Sequence, residues 1–158
     1  MAVGGILHRL GRHPDPCAWP PHEYVGEGRF DDPARRFRVL YVAEQRRAYF
    51  VEGMAQFRPS LEALARERAV AGAAEPLEGG IVPTSWTRSR MTGRVRLAEG
   101  QRWLDLRELS VREALRPHFA AQRLQLGITD LDLSAVTRSD EVGRRLTQRI
   151  AGWAYERR

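Results

Sequence analysis

The sequence predicts an α+β domain, because short apolar runs of strand length alternate with longer segments of helical periodicity. Residues 6–10 and 37–43 are the clearest strand candidates. Residues 44–57 and the stretch after Ser139 repeat apolar side chains every three or four positions, which is typical of helices. A chain of 158 residues is long enough to bury a core. We therefore predict one domain over residues 1–158.

The N-terminal part is predicted to hold two strands with a loop between them. The loop covers residues 11–28, where prolines and glycines recur. Residues 37–43 place apolar side chains on both faces, which predicts a buried strand. Tyr41 shares one face of that strand with Phe37 and Val39.

A helix is predicted next, over residues 44–57. Ala48, Val51 and Ala55 form its apolar stripe, which Met54 widens. A second helix is predicted over residues 60–70, and residues 71–80 are predicted to be a loop of small residues.

The C-terminal part is predicted to contain two short strands, over residues 95–97 and 102–106, followed by helices. Residues 110–113, Ser-Val-Arg-Glu, match a capping box that begins a helix. Four residues make up the apolar side of that helix: Leu115, Phe119, Ala120 and Leu124. The last helix begins near Ser139, and four residues make up its apolar face: Val142, Leu146, Ile150 and Trp153.

Composition narrows the class of protein. All 26 basic residues are arginine, and the net charge is +6. Acidic residues lie between the arginines in sequence, so a nucleic-acid-binding domain is the less favoured interpretation of this charge. Cys17 is the single cysteine, which excludes a disulfide framework or a cysteine metal site and predicts a cytoplasmic location. The chain has no apolar run of membrane-spanning length, so we predict no membrane partner.

Four residues of the first third suit a site for a phosphate-bearing sugar. Arg9 lies at the end of the first strand and Arg29 lies in a Gly-Arg-Phe turn, and an arginine fork can hold a phosphate through two hydrogen bonds. The alternative is that both are ordinary surface arginines. Tyr41 could stack on a flat heterocycle. Glu52 borders the apolar stripe of its helix, and a carboxylate beside an anomeric carbon stabilises an oxocarbenium-like transition state. A surface ion pair for Glu52 and core packing for Tyr41 remain the alternatives.

These residues and their flanking sequence resemble the RES domain family. The matching pieces are His-Arg-Leu-Gly at 8–11, Gly-Arg-Phe-Asp-Asp-Pro at 28–33, Val-Leu-Tyr-Val-Ala-Glu at 39–44, residues 48–52, Phe57-Arg58, and weaker pieces at 103–107, 127–132 and 146–151. The resemblance implies a fold like that of ADP-ribosyltransferases, with a mixed sheet flanked by helices. It also implies a bacterial toxin of a toxin–antitoxin pair that is neutralised by an Xre-type helix-turn-helix antitoxin.

The family resemblance implies an enzyme that consumes NAD as its substrate, with no resident cofactor and no metal. By position, Glu52 and Arg29 match the catalytic pair of the family, and Arg9, Arg29 and Tyr41 match its substrate-binding positions. Cleavage of the nicotinamide–ribose bond by inorganic phosphate or water is the expected reaction. The alternatives are transfer of ADP-ribose to a protein, and an inactive module that only binds its antitoxin. Nucleic acid is then expected to be bound only indirectly, through the antitoxin.

One departure from the family is plain. The family serine follows the last helix in a further strand, whereas this chain ends at Arg158, where that strand is expected to begin. The expectation from sequence is therefore a domain without its C-terminal strand. Loss of a residue that positions substrate lowers the rate by orders of magnitude.

Overall fold

The computed structural model describes residues 5–58, 80–98, 100–101 and 103–157. Within them the protein is mixed α/β, with one two-stranded antiparallel sheet and six α-helices. The mixed class predicted from sequence is confirmed at this level, and the wider sheet of the ADP-ribosyltransferase type stays a prediction. The helix predicted over residues 60–70 and most of the loop predicted over 71–80 fall outside the described residues.

The chain forms two compact units. The first unit consists of Met1–Ala18 and Tyr41–Leu97, and the second consists of Trp19–Leu40 and Ala98–Arg158. Each unit is therefore built from two stretches that are distant in sequence.

The first unit is organised by a pair of antiparallel strands that are distant in sequence. Strand β1 (Ile6–Arg12) pairs antiparallel with β2 (Arg90–Arg96), so that Arg9 lies opposite Gly93. The predicted strand at 6–10 is confirmed and extends two residues further. The strand predicted over 95–97 matches only the end of β2. The earlier residues of β2 include Arg, Thr and Gly, which do not give the apolar alternation typical of a strand.

One face of this sheet is covered by helix α1 (Arg46–Gly53). The Tyr49 ring lies 6.4 Å from that of His8. A Cβ on Gly53 would lie 2.9 Å from the Leu10 side chain, so glycine allows the helix to approach the strand closely. Since His8 and Leu10 are two residues apart, they point to the same face of β1.

The helix prediction over 44–57 was right about the element and wrong about its buried side. A short 3-10 turn at Ala55–Phe57 follows α1, and helix α2 (Thr84–Arg88) comes later in the chain. Val51 is 39% exposed and Ala55 is also exposed, whereas Tyr49 is buried. The reason is the large Tyr49 ring, which has more apolar area to bury than the small side chains of the predicted stripe.

The opposite face of the sheet lies against the loop after β1. A Cβ on Gly11 would meet the Pro16 backbone at 2.1 Å, and a Cβ on Gly93 would meet the Cys17 sulfur at 2.5 Å. Both glycines are therefore required for the loop to lie on this face. Leu7, which points the same way, is buried.

The strand predicted over 37–43 is absent, and this prediction was wrong. Only Ala43 pairs with β1, through two backbone hydrogen bonds with His8 of 2.7 and 2.8 Å. Phe37 instead stacks on Tyr155 at 4.5 Å within the second unit, and Tyr41 is 46% exposed. The segment crosses from one unit to the other, so its apolar alternation does not reflect one shared sheet face.

The second unit is helical in the part that is described. Its helices are α3 (Leu109–Leu115), α4 (Ala120–Gln125), α5 (Leu133–Thr137) and α6 (Glu141–Glu156). Eight buried residues form its core: Leu115, Phe119, Ile128, Leu131, Ala135, Val136, Leu146 and Ile150. The apolar face predicted for the last helix is confirmed, because Leu146 and Ile150 are in the core and Val142 and Trp153 pack against it.

Three details of the second unit differ from the sequence predictions. Helix α3 begins one residue before Ser110, after Glu108, without a side-chain cap, so the capping box does not form. Leu124 is 82% exposed instead of buried. It lies in α4, a separate short helix that ends at Gln125, so it does not share one apolar face with Leu115. Residues 103–106 form no strand, and a turn follows in which Arg107 binds Asp105 at 2.8 and 2.9 Å.

Across the described residues, no helix combines the length and apolar character needed to cross a membrane.

Candidate functional site

Three of the four candidate residues lie in the first unit, and Arg29 lies in the second. Arg9 is half-buried on β1, and its Nε donates to the Pro16 carbonyl at 2.7 Å. Its Nη1 donates to the Tyr41 carbonyl at 3.1 Å. Burial lowers the pKa of the Arg9 guanidinium from its ordinary value.

Arg9 therefore connects β1 to the segment that carries Tyr41. Its two hydrogen bonds hold the Tyr41 backbone and the Pro16 loop, and the guanidinium keeps its charge. The Tyr41 side chain is exposed rather than in the core, so a planar ligand could reach its ring. The core-packing alternative for Tyr41 is not what the structure shows.

Glu52 lies on the exposed side of α1, next to Gly53. No hydrogen bond or ion pair to its carboxylate is made by any other described residue. The helix that carries Glu52 lies on the His8–Leu10 face of β1, while Arg9 points to the face covered by Pro16. The first unit thus brings Arg9 and Tyr41 together and places Glu52 on a helix across the sheet from the Arg9 side chain.

Arg29 stabilises the end of a helix in the second unit. Its Nη1 donates to the Thr137 carbonyl at 3.2 Å and its Nη2 to the Val136 carbonyl, and both carbonyls lie in the last turn of α5. A cation beside the exposed carbonyls at a helix C-terminus is favourable. The arginine fork predicted to hold phosphate is therefore directed at the backbone of its own unit.

The Gly-Arg-Phe turn around Arg29 is also fixed by several hydrogen bonds. Asp31 accepts from the amides of Gly26 and Gly28 at 3.1 and 2.9 Å. Gln148 of α6 donates to the carbonyls of the same two glycines, at 3.0 and 2.9 Å. The motif that carries much of the family resemblance thus has a structural explanation within the second unit.

Sequence reasoning missed a cleft in the first unit. It has a volume of about 480 Å³ and is lined by Arg12, Gln56, Phe57, Pro83, Ser85, Trp86, Ser89 and Arg90. The Arg90 guanidinium lies 5.2 Å from the centre of the Trp86 ring, and Phe57 meets the same ring edge-on at 5.3 Å. The available signal was the four-residue spacing of Trp86 and Arg90 at the start of a run without acidic residues.

The second unit has a larger cleft, of about 770 Å³, beside α6. Two of its arginines are already paired, Arg36 with Asp32 at 2.8 Å and Arg145 with Glu141 at 2.5 Å. The Arg36 guanidinium also binds Glu156 at 3.0 Å. Positive charge along this cleft is therefore largely neutralised by neighbouring carboxylates.

Comparisons of the chain with protein-family models, with curated proteins and with solved structures found no match. Among the described residues, no group of three or more histidine, cysteine, aspartate or glutamate side chains is assembled that could hold a metal ion.

Proposed function

We propose that the chain is an NAD-cleaving enzyme of the RES type, which breaks the bond between nicotinamide and ribose. The observation that carries the proposal is that the first unit holds three of the four residues that resemble the family's site, Arg9, Tyr41 and Glu52. Arg9 is bonded to the Tyr41 backbone, and Tyr41 and Glu52 both expose their side chains. The fold of the ADP-ribosyltransferase type belongs to the same proposal.

In this proposal Glu52 acts on the developing cation. As the bond from ribose C1′ to the nicotinamide nitrogen breaks, its electron pair leaves with nicotinamide and the ribose becomes oxocarbenium-like. A carboxylate near C1′ stabilises that charge, and water or inorganic phosphate then bonds to C1′. Tyr41 stacks on the nicotinamide ring. Arg9 positions the Tyr41 backbone, and its charge favours the substrate phosphates.

A second candidate has its own support. Arg9 and Arg29 both direct their guanidinium groups at backbone carbonyls of their own units. Because both guanidinium groups bond to the protein's own backbone, they are less available for substrate phosphates. This favours a non-catalytic module that binds an Xre-type antitoxin. The third candidate is transfer of ADP-ribose to a protein. In that reaction a side chain of the target protein, instead of water or phosphate, bonds to C1′.

The test is incubation of the purified chain with NAD, with and without inorganic phosphate, while free nicotinamide is measured. We expect release by the wild-type chain and a loss of about a hundredfold or more in Glu52→Gln, because the variant removes the stabilising charge. The matched control is Glu44→Gln, which neutralises another exposed glutamate of the first unit just before α1.

Equal rates for Glu52→Gln and the wild type would exclude Glu52 from catalysis. No release by the wild-type chain under either condition would overturn the enzyme and leave the binding module. Release that requires an added protein, with label from NAD retained on that protein, would identify the transferase.

A further inference from the structure

Among the described residues, most of the net positive charge lies in the first unit. The described part of that unit carries nine arginines and only three acidic residues, Asp15, Glu44 and Glu52. The described part of the second unit carries 13 arginines and 12 acidic residues. The arginines are scattered in sequence, but in the described part of the chain their excess over acidic residues is larger in the first unit than in the second.

Strand β2 arranges part of this charge in a line. Arg90, Arg94 and Arg96 are separated by four and two residues, and these even spacings place them on the same face of the strand. Arg94 and Arg96 are exposed, and neither forms an ion pair with a described residue. Within the described part of the chain β2 pairs only with β1, so these arginines lie at an edge of the sheet.

The cleft between Phe57 and Arg90 continues this line of arginines. Arg90 belongs to both features, and Arg12 lies directly opposite it in the strand register. Burial, together with the charge of Arg12, lowers the pKa of the Arg90 guanidinium from its ordinary value. The described residues that line the cleft include two aromatic rings and no carboxylate.

We propose that this surface, made of the cleft and the exposed arginines of β2, binds single-stranded nucleic acid. Proteins that bind single strands combine a positive groove for the phosphates with aromatic side chains on which bases stack. The cleft volume is within the range of about 300–1,000 Å³ that is usual for small-molecule pockets. Arg94 and Arg96 then contact the phosphates of the same strand.

The residues of this surface differ from those that carry the proposed NAD reaction. Its residues do not include Arg9, Tyr41 or Glu52. Direct nucleic-acid binding also differs from the expectation from sequence, in which only the antitoxin contacts nucleic acid. A single strand is favoured over a duplex because its bases are free to enter a cleft, and over an anionic membrane because the cleft supplies aromatic rings next to arginines.

The test is titration of the full chain with a short labelled oligodeoxythymidine, its duplex with oligodeoxyadenosine, and thymidine monophosphate, followed by fluorescence anisotropy at several salt concentrations. We expect the single strand to bind more tightly than the duplex or the mononucleotide, with affinity falling as salt rises. Each phosphate contact contributes about 0.7 to the logarithmic salt slope, so Arg94→Gln with Arg96→Gln is expected to reduce that slope by about 1.4.

The double variant Arg94→Gln, Arg96→Gln is also expected to weaken binding about tenfold or more. Its matched control is Arg144→Gln with Arg149→Gln, which removes the same charge from exposed positions of α6. Ser85→Glu, which adds a negative charge at the rim of the cleft, is expected to weaken binding as well. All three variants change exposed positions, and circular dichroism checks that they fold.

Several results would overturn the proposal. These are no binding at low salt, an equal loss in both double variants, tighter binding of the duplex, or binding of phosphatidylserine vesicles in place of the oligonucleotide. Nicotinamide release is measured on the same variants and is expected to be unchanged. Loss of nucleic-acid binding with intact NAD cleavage, or the reverse, separates this proposal from the proposed function.

Discussion

The two units of this protein use the same residue, arginine, for different purposes. In the second unit most described arginines are bonded to carboxylates or backbone carbonyls, as in the pairs of Arg116 with Asp130 at 2.7 Å and Arg138 with Asp140. Every ion pair between described residues belongs to this unit. In the first unit Arg94 and Arg96 are exposed and form no ion pair with a described residue.

This difference goes with a difference in the cores. The second unit has a cluster of eight buried residues, whereas Leu7 and Tyr49 are the large buried side chains in the described part of the first unit. The described part of the first unit thus combines few buried apolar side chains with an excess of positive charge, and both features reduce stability. An anionic ligand would reduce the repulsion, which is the physical reason to look for binding in the first unit.

The largest expected effect concerns the core of the second unit. Leu146 is fully buried, so Leu146→Ala should lower the free energy of unfolding by about 2–5 kcal/mol. Leu124→Ala, at a position that is 82% exposed, should change it by less than about 0.5 kcal/mol. Urea denaturation of both variants measures this, and equal losses would contradict the assignment of the core.

The next effect concerns a buried carboxylate of the second unit. Burial by itself raises the pKa of Asp32, but hydrogen bonds from the Arg36 guanidinium and from the amides of Arg36 and Ala34 lower it overall. The folded pKa is therefore below the unfolded value of about 3.9, so the carboxylate stabilises the folded protein above that pH. This stabilisation is lost as the pH falls through the folded pKa.

Asp32→Asn should accordingly lower the free energy of unfolding by about 1.5–3 kcal/mol at neutral pH, because it removes hydrogen bonds to a charged group. The difference between variant and wild type should shrink as the pH falls below about 4. Glu27→Gln, an exposed position on the same segment, is the control. Urea denaturation at several pH values checks this, and a difference that does not depend on pH would refute the role of the charge.

The smallest effect compares one arginine from each unit. Arg29→Ala should lower the free energy of unfolding by about 1 kcal/mol, because it removes the hydrogen bonds to the last turn of α5. Arg94→Ala on β2 should change it by less than about 0.5 kcal/mol, since its side chain is exposed and has no described ion-pair partner. If Arg94→Ala were the more destabilising change, Arg94 would have a structural role that its exposed position does not predict.

Prediction from sequence worked best where one element carries its own signal. The last helix has apolar residues at regular helical spacing over many turns, and its face was identified correctly. Prediction failed for residues 37–43 and for the described residues 103–106, because a short apolar run does not reveal whether a partner strand exists. The wrong buried side of α1 has a similar cause, since only the position of His8 and Leu10 shows where Tyr49 is buried.

The candidate site shows the same limit. The sequence identified Arg9, Tyr41 and Glu52 as unusual, but it gave no means of knowing that Arg9 donates to the Tyr41 carbonyl. The cleft of Arg12, Phe57, Trp86 and Arg90 was missed because its residues come from three separate segments. A pattern search along the chain cannot find groups that only folding brings together.

The sequence by itself determined the mixed class, strand β1, the face of α6 and the excess of arginine, because these depend on local periodicity and composition. Only the tertiary structure decided which arginines are engaged. The Arg29 fork meets carbonyls more than a hundred residues away in the chain, and the β2 arginines have no acidic neighbour in the described residues. The net charge follows from composition, but neutralisation of a charge depends on how far away the opposite charge lies. The interaction weakens with distance, and packing of the folded chain sets that distance.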